Sequence, residues 1–336
     1  MTVVDLHAHL GVPAADALVR AAGIAPVAMP FSEPATDAVN GAMFAKIGPK
    51  LCGTAARIEE MDAAGIDLQV MSPNPAQYYY AIDADVAQAA ARAVNDGIAD
   101  AVAAHPDRLL GMGTLPMQAP DLAVAEMRRC VRELGLRGIE IGTWIAGREL
   151  SDPLFAPVFS AAEELGVPLF IHPLGFSQGE RLSRYYLNNI IGNPLESAIA
   201  LSHLILGGTL DRHTGLKLCV AHGGGYLPAY WGRLDHAWHA RADCHRDCVH
   251  APSSYLRRIW LDTLVFDRDQ LAHLVAAHGA DRLCMGSDWP FDMGEPDPVG
   301  FHAGLDDADR ARILGHNALA LLGLAERAPV NPAEPD

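Results

Sequence analysis

From residue 54 to residue 322 the chain alternates short apolar runs with longer amphipathic stretches. Each pair has the length of one strand followed by one helix. Val3-Val4-Asp5-Leu6-His7-Ala8-His9 opens the chain as a first strand. Further strands are predicted at 68–71, 109–115, 137–141, 167–172, 216–221, 258–262 and 282–286. Helices are predicted from Thr54, as an N-cap, to a stop at Gly65, then over 83–104, 121–134 and 152–165. The last of these carries Pro153 in its first turn, where proline is tolerated, and stops at Gly166. More helices follow over 195–206, from about 228, over 267–278 and over 307–322.

Eight strands alternating with helices give the count of a (β/α)8 TIM barrel. A doubly wound sheet also alternates, but no glycine-rich dinucleotide loop follows the first strand. Residues 11–53 are rich in Ala, Pro and Gly and lack a sustained period. They are expected to be an insertion after strand 1, a small subdomain or cap over the barrel mouth. The expected organisation is a single barrel domain over 1–325 and a flexible tail over 326–336, which holds three prolines.

The 336 residues are 50% hydrophobic and 20% charged, enough for one large core. A net charge of -16 argues against nucleic acid or an anionic membrane as partner. It does not argue against a small anionic substrate. No apolar run reaches transmembrane length, and no secretion-type segment opens the chain. The six cysteines show no tight disulfide framework, and Cys219 and Cys284 sit in apolar strand-like runs. A cytoplasmic, reducing setting is expected.

The polar residues carrying chemistry collect at the C-terminal ends of the predicted strands, where barrel active sites lie. His7 and His9, spaced i, i+2, leave one face of strand 1 about 7 Å apart. His172 ends strand 5, His222 ends strand 6 and Asp288 follows strand 8. Buried structural histidines would not favour one end of a barrel. Three histidines and a carboxylate suit Zn²⁺ or another first-row ion such as Mn²⁺. A second metal is not expected, because none of the three lysines, Lys46, Lys50 and Lys217, follows strand 4 as a bridging group would require.

His222 precedes Gly223-Gly224-Gly225, a turn that lets the backbone come close to a ligand. It is a general acid/base beside the metal or a fifth ligand. Arg233 is either a carboxylate clamp or a surface ion pair. Glu140, on strand 4, either faces inward or is a solvated or Arg-paired carboxylate. Cys244, His245, Cys248 and His250 have zinc-knuckle ingredients at irregular spacing. Tyr78-Tyr79-Tyr80 either lines the pocket or divides between loop packing and solvent.

Asp5-Leu6-His7-Ala8-His9, Phe170-Ile171-His172-Pro173, Ala221-His222-Gly223-Gly224-Gly225 and Gly286-Ser287-Asp288-Trp289-Pro290 resemble the amidohydrolase-related metal-dependent decarboxylases. The likeness runs from Val3 to about Leu322 and is similar to the aminocarboxymuconate-semialdehyde decarboxylase type. The resemblance implies one zinc on His7, His9, His172 and Asp288, with His222 activating water or passing a proton. It implies Arg233 on a substrate carboxylate, reaching into the neighbouring subunit of a homodimer. The reaction implied is non-oxidative decarboxylation without an organic cofactor, with Asp288 as a further proton carrier. The sequence departs from the pattern at Ala45, where an Arg would bind substrate and only Lys46 is adjacent, and at Leu174, where an aromatic stands. Both changes fall at the substrate, so the resemblance implies a small carboxylated aromatic, muconate-semialdehyde-like or cyclic acid. A hydrolase or hydratase would use the same ligands, and a non-catalytic barrel would not need them.

Overall fold

Eight parallel strands form the centre of the computed structural model, which describes residues 1–25 and 31–324. They are β1 (Val4–Leu10), β2 (Leu68–Pro73), β3 (Leu109–Gly113), β4 (Gly138–Ile141), β5 (Leu169–Ile171), β6 (Leu218–Val220), β7 (Ile259–Asp262) and β8 (Leu283–Cys284). Each pairs in parallel with the next, in chain order. The segment after β8 then runs beside β1. Leu6 N donates to Met285 O at 2.9 Å and His9 N to Trp289 O at 2.8 Å. These bonds join the last strand to the first in a (β/α)8 barrel.

Helices cover the outside: α1 (Pro13–Ala21), α2 (Pro34–Leu51), α3 (Ala55–Ala64), α4 (Ala84–Ala104), α5 (Pro120–Arg132), α6 (Ala156–Leu165) and α7 (Asn193–Leu206). They continue as α8 (Thr209–Arg212), α9 (Trp231–Ala240), α10 (Arg268–His278), α11 (Pro298–Phe301), α12 (Asp307–Ala311) and α13 (Asn317–Leu321). The packing is close. A Cβ on Gly111 of β3 would lie 2.6 Å from Ile98 Cγ2 of α4, so the helix reaches its place only over glycine. The helix expected over 307–322 is broken into α12 and α13 by a π-turn at Arg312–His316. Among the described residues no helix is long and apolar enough to cross a membrane.

The stretch after strand 1, expected as a small subdomain or cap, is helical. It holds two helices, α1 and α2, where no periodicity was visible. Helix α1 is short and buries only Ala15 and Val19. Helix α2 buries only Ile47 and Leu51, in its last turn. On α1 that i, i+4 pair is one face too short to show as a sustained period, and α2, which buries no continuous face, has no need of one. Thr54 also departs from its expected role, since its side chain caps nothing. Thr54 Oγ1 instead lies 3.2 Å from His105 Nε2. The expected tail over 326–336 lies outside the described residues.

Strand β1 carries an irregularity that sets the site. Its register against β2 shifts between Asp5 and Ala8, a bulge that breaks the in–out alternation. Val4 and Leu6 pack with Val70, Met112, Phe170 and Cys219 in one apolar cluster. His7, the very next residue, also meets Phe170, with ring centroids 5.0 Å apart. Leu6 and His7 thus both turn toward the barrel interior, and His9 follows His7 in the restored alternation.

Candidate metal centre and substrate cavity

His7, His9, His172 and Asp288 each bring one ligand atom to a common point, and these atoms lie within 4.8 Å of one another. All four residues are buried. His7 and His9 come from β1, His172 follows β5, and Asp288 stands on the segment that joins β8 to β1. Asp288 has a φ of 58°, the left-handed region, held there by its N–H on His7 O at 2.8 Å.

The hydrogen bonds leave the cluster one partner short. His7 Nδ1 donates to Asp262 Oδ2 at 2.7 Å. His9 Nδ1 donates to Pro73 O at 2.8 Å. With both Nδ1 atoms engaged as donors, each neutral ring presents a lone pair at Nε2. The two Nε2 atoms face each other at 3.1 Å. Asp288 Oδ1 is 3.0 Å from His9 Nε2 and 3.4 Å from His7 Nε2, yet has no hydrogen-bond donor. Both ring nitrogens of His172 are buried without a partner. Converging, buried, unpaired acceptors fit a cation, and three imidazoles with one carboxylate fit a divalent first-row metal.

The electrostatics agree. Burial opposes ionisation of Asp288, but His7, His222 and His9 outweigh it and hold the carboxyl well below the ordinary range. Burial, with His9 and His222 nearby, drives the His172 pKa far down, so its ring is neutral. Burial works against charge on His7, but Asp288, Asp262 and Glu140 overcome it and lift its pKa to about 9. Without a metal the carboxylates therefore retain a proton on His7, which a bound cation would displace.

Asp262, at the end of β7, ties the cluster to the neighbouring turn. Besides His7, it accepts Gly223 N at 2.8 Å and Leu264 N at 3.1 Å on its other oxygen. His222 sits on that turn at φ 57°. Its Nε2 is 3.9 Å from Asp288 Oδ2, and its ring centroid is 5.0 Å from that of His172. His222 Nδ1 is buried without a partner. Gly225 lets the turn close, because a Cβ there would lie 2.1 Å from Pro194 O.

A second set of buried polar groups braces two of the three segments that carry ligands, β1 and the stretch after β8. Asp5 accepts Gln69 Nε2 at 2.7 Å, Ser287 Oγ at 2.5 Å and Ser287 N at 3.0 Å. Arg57, fully buried on α3, donates to Gln69 Oε1 and to His9 O, both at 2.6 Å. Its guanidinium lies 4.1 Å over the Trp289 ring, next to Asp288.

Glu140 faces inward. It is fully buried, accepts Tyr78 Oη–H at 2.7 Å, and its Oε2 lies 3.9 Å from His9 Nδ1. Burial raises its pKa against the opposing pull of His9, Ser72 and Tyr78. The tyrosine run differs from the expected split between loop and solvent, since all three rings are buried. Tyr78 and Tyr80 stack at 5.3 Å, Tyr80 Oη accepts Gly142 N, and Tyr79 donates to Asp16. Three aromatic side chains with reachable partners are buried at less expense than an exposed apolar loop.

A cavity of about 290 Å³ opens above His172 and Asp288. Asn74 after β2, Leu174 after β5, Asn189 and Asn193 before and at the start of α7, and Phe291 after β8 form its walls. Helix α2 adds Asp37, Asn40, Met43 and Phe44. Arg233 is not among the lining residues. It is exposed on α9, without a side-chain ion pair among the described residues. Lys46 and Ala45 on α2 are exposed and also stand outside the cavity lining. The Cys244–His250 loop brings no metal-like group together among the described residues: Cys248 Sγ turns to His250 O, and His245 Nδ1 donates to Trp238 O.

Asp262, Asp5, Gln69 and Arg57 escaped the sequence reading. For Asp262 a signal existed, since it ends a predicted strand just as His172 does. For Arg57 and Gln69 none did, because their partners on β1, His9 O and Asp5, lie 48 and 64 residues away in the chain.

Comparison with known proteins agrees with the barrel. Residues 4–324 match the amidohydrolase family. The chain is 36% identical over 290 residues to 2-amino-3-carboxymuconate-6-semialdehyde decarboxylase of Dictyostelium discoideum, a match covering 85% of this chain and 81% of that protein. It is 30% identical over 292 residues to gamma-resorcylate decarboxylase of a Rhizobium species, covering 80% and 86%. A variant of 5-carboxyvanillate decarboxylase from Novosphingobium aromaticivorans, solved with manganese and 3-methoxy-4-hydroxy-5-nitrobenzoic acid, superposes with a TM-score of 0.84. That likeness has 25% identity and covers 96% of this chain and 97% of that one. The chain belongs to the amidohydrolase family.

Proposed function

We propose that this chain catalyses metal-dependent, non-oxidative decarboxylation of a small carboxylated aromatic, muconate-semialdehyde-like or cyclic acid. The observation that carries the reading is the convergence of His7, His9, His172 and Asp288 beneath a closed-in cavity, with His222 beside them. The relatives named as decarboxylases support the choice of reaction. The proposed ligands are those four residues. The proposed ion is Zn²⁺, with Mn²⁺ as the alternative that the manganese-bound neighbour favours. No organic cofactor enters the reading.

A divalent cation, when bound, supplies Lewis acidity that offsets the carboxylate charge in a buried site. The remaining work falls to this chain. Loss of CO₂ breaks one C–C bond and leaves its electron pair on the ring or chain carbon, which must take up a proton. His222 would hold that proton at Nε2, and Asp288, whose Oδ2 is 3.9 Å away, could share or pass it only once the two close to hydrogen-bond distance with substrate bound. Asp262 orients His7 through Nδ1 and fixes the His222 turn through Gly223 N. Leu174, Phe44, Phe291 and Met293 keep water from the reacting carbon.

The proposal includes a cytoplasmic homodimer. The six cysteines all stand free, as in a reducing compartment. Ile191, Tyr226 and Tyr230 are exposed apolar side chains near one another: Tyr226 Oη donates to Ile191 O, and Arg233 N donates to Tyr230 O one turn on. Within one chain Arg233 does not line the cavity. Its proposed role as a carboxylate clamp requires a second copy docked on this face, with α2 as the cap over the site.

The test is CO₂ release by Zn²⁺- and Mn²⁺-loaded protein across hydroxybenzoates, carboxylated semialdehydes and cyclic acids. Release that needs the metal and His222 supports the reading. Silence across the panel with metal bound overturns it in favour of hydrolysis or hydration.

A further inference from the structure

The cavity over the cluster is walled by neutral amides. Asn40, Asn74, Asn189 and Asn193 line it, and among the described residues no lysine or arginine does. Its charged members are both acidic: Asp288 at the floor and Asp37 on α2. The chain's lysines are spent elsewhere, with Lys50 on Glu60, Lys217 on Gly166 O, and Lys46 exposed outside the cavity.

Two of the four amides have a defined orientation. Asn193 Oδ1 accepts Gly175 N at 2.7 Å, and Asn74 Oδ1 accepts Ala76 N at 3.3 Å. With each oxygen held by backbone, the uncommitted polar atom of both side chains is Nδ2, a donor. Tyr186 adds a hydroxyl whose pKa is pushed up to about 12 by burial and by Asp292 and Asp288, so it too stays protonated and donates. Neutral donors match neutral acceptors such as a phenolic, methoxy or carbonyl oxygen. A second carboxylate here would lose water without meeting a cation from the lining of its own chain and would face Asp37, since the clamp proposed for Arg233 of the partner subunit serves the carboxylate that leaves. The volume, about 290 Å³, sits at the lower end of small-molecule pockets and suits one ring.

We infer that the substrate is a single-ring or ring-sized monocarboxylic acid whose other substituents are neutral hydrogen-bonding groups, selected by the Nδ2 donors of Asn74 and Asn193 and defended by Asp37 against a second anionic group. This rests on the decarboxylase reading for which carboxylate is lost, but the selection itself is a matter of binding. The discrimination comes from charge: amide donors that satisfy a neutral acceptor do not offset the desolvation of an anion placed near Asp37.

The experiment measures binding apart from turnover. Calorimetry on the Mn²⁺-loaded protein compares 2-nitrophenol, whose nitro group stands for the leaving carboxylate, with 4-hydroxy-3-nitrobenzoate, which adds one carboxylate. The neutral-substituted compound is expected to bind at least about tenfold more tightly. Asn193→Asp, of the same shape but with the donor removed, is expected to weaken 2-nitrophenol by a similar factor, and Asn40→Arg to narrow or reverse the preference. Tighter binding of the carboxylated compound by the unmodified protein overturns the inference, as does an unchanged affinity in Asn193→Asp with the fold intact by circular dichroism. CO₂ release is scored in parallel on 2,6-dihydroxybenzoate and 4-hydroxyisophthalate. Preference without release from either acid leaves this inference standing and sinks the decarboxylase reading. Faster release from the dicarboxylate does the reverse.

Discussion

Asp262 Oδ2 lies 2.7 Å from His7 Nδ1 with both groups fully buried, while Asp262 Oδ1 accepts the N–H of Gly223. One carboxylate thus orients a proposed metal ligand and anchors the turn that presents His222. Asp262→Asn keeps the shape but loses the charge that holds the His7 tautomer. Metal affinity or turnover is expected to fall about 10–100-fold. Metal titration of the purified variant checks this, and an unchanged affinity with unchanged turnover removes Asp262 from the machinery.

His222→Ala is expected to retain the metal and lose about 10²–10⁴ in kcat, the range of a positioned acid or base. Metal content by elemental analysis, beside kcat, decides between its two roles. Loss of metal recasts His222 as a fifth ligand.

Asp288→Ala removes the acidic member of the cluster and leaves three histidines. Metal retention after dialysis and CO₂ release are both measured, and at least one is expected to fall below a tenth of its original value. A fully active, fully loaded variant shows the site assignment to be wrong.

Metal binding is expected to depend on pH through His7. In the metal-free protein its pKa is raised to about 9, above the ordinary 6.5. A raised histidine stabilises the metal-free fold fully below the ordinary value, and that contribution is lost as pH climbs through 9. The same proton competes with the cation. Affinity should therefore rise between pH 6.5 and 8.5, by up to about tenfold per unit for one displaced proton. Competition titration against a chelator of known pH dependence measures the slope, and a flat profile excludes His7 as a ligand.

Arg57→Met deletes a buried guanidinium that bridges His9 O and Gln69 and lies over Trp289. The loss of one partner from such a buried ionic network is expected to destabilise the fold by about 3–5 kcal/mol. Thermal unfolding of the metal-free variant reads this, and a shift within error means the network relaxes around the gap.

Much of the site was legible because ligand chemistry is local to strand ends. His7, His9, His172, His222 and Asp288 each stand out in their own few residues, and the barrel brings all such ends to one rim. Arg233 did not follow that logic, because it lies on α9 and a helix position does not say which way the side chain faces the mouth. Helix α2 was invisible for the opposite reason. It buries too little of itself to need a periodic sequence, yet it supplies one wall of the cavity.

Strand β1 shows where the division falls. The i, i+2 spacing lets His7 and His9 share a face, because a regular strand repeats every two residues. Which face they share, and that Leu6 shares it with His7, was decided by the bulge between Asp5 and Ala8. That bulge exists only where β1 meets β2 on one side and the segment after β8 on the other. The same holds for the bonds joining Asp5 to Ser287 and His7 to Asp262, separated by 282 and 255 residues. Sequence alone determined which residues are the candidates for the chemistry and which strand each stands on or follows. The closed barrel decided their partners, because contacts across so long a stretch of chain leave no local pattern.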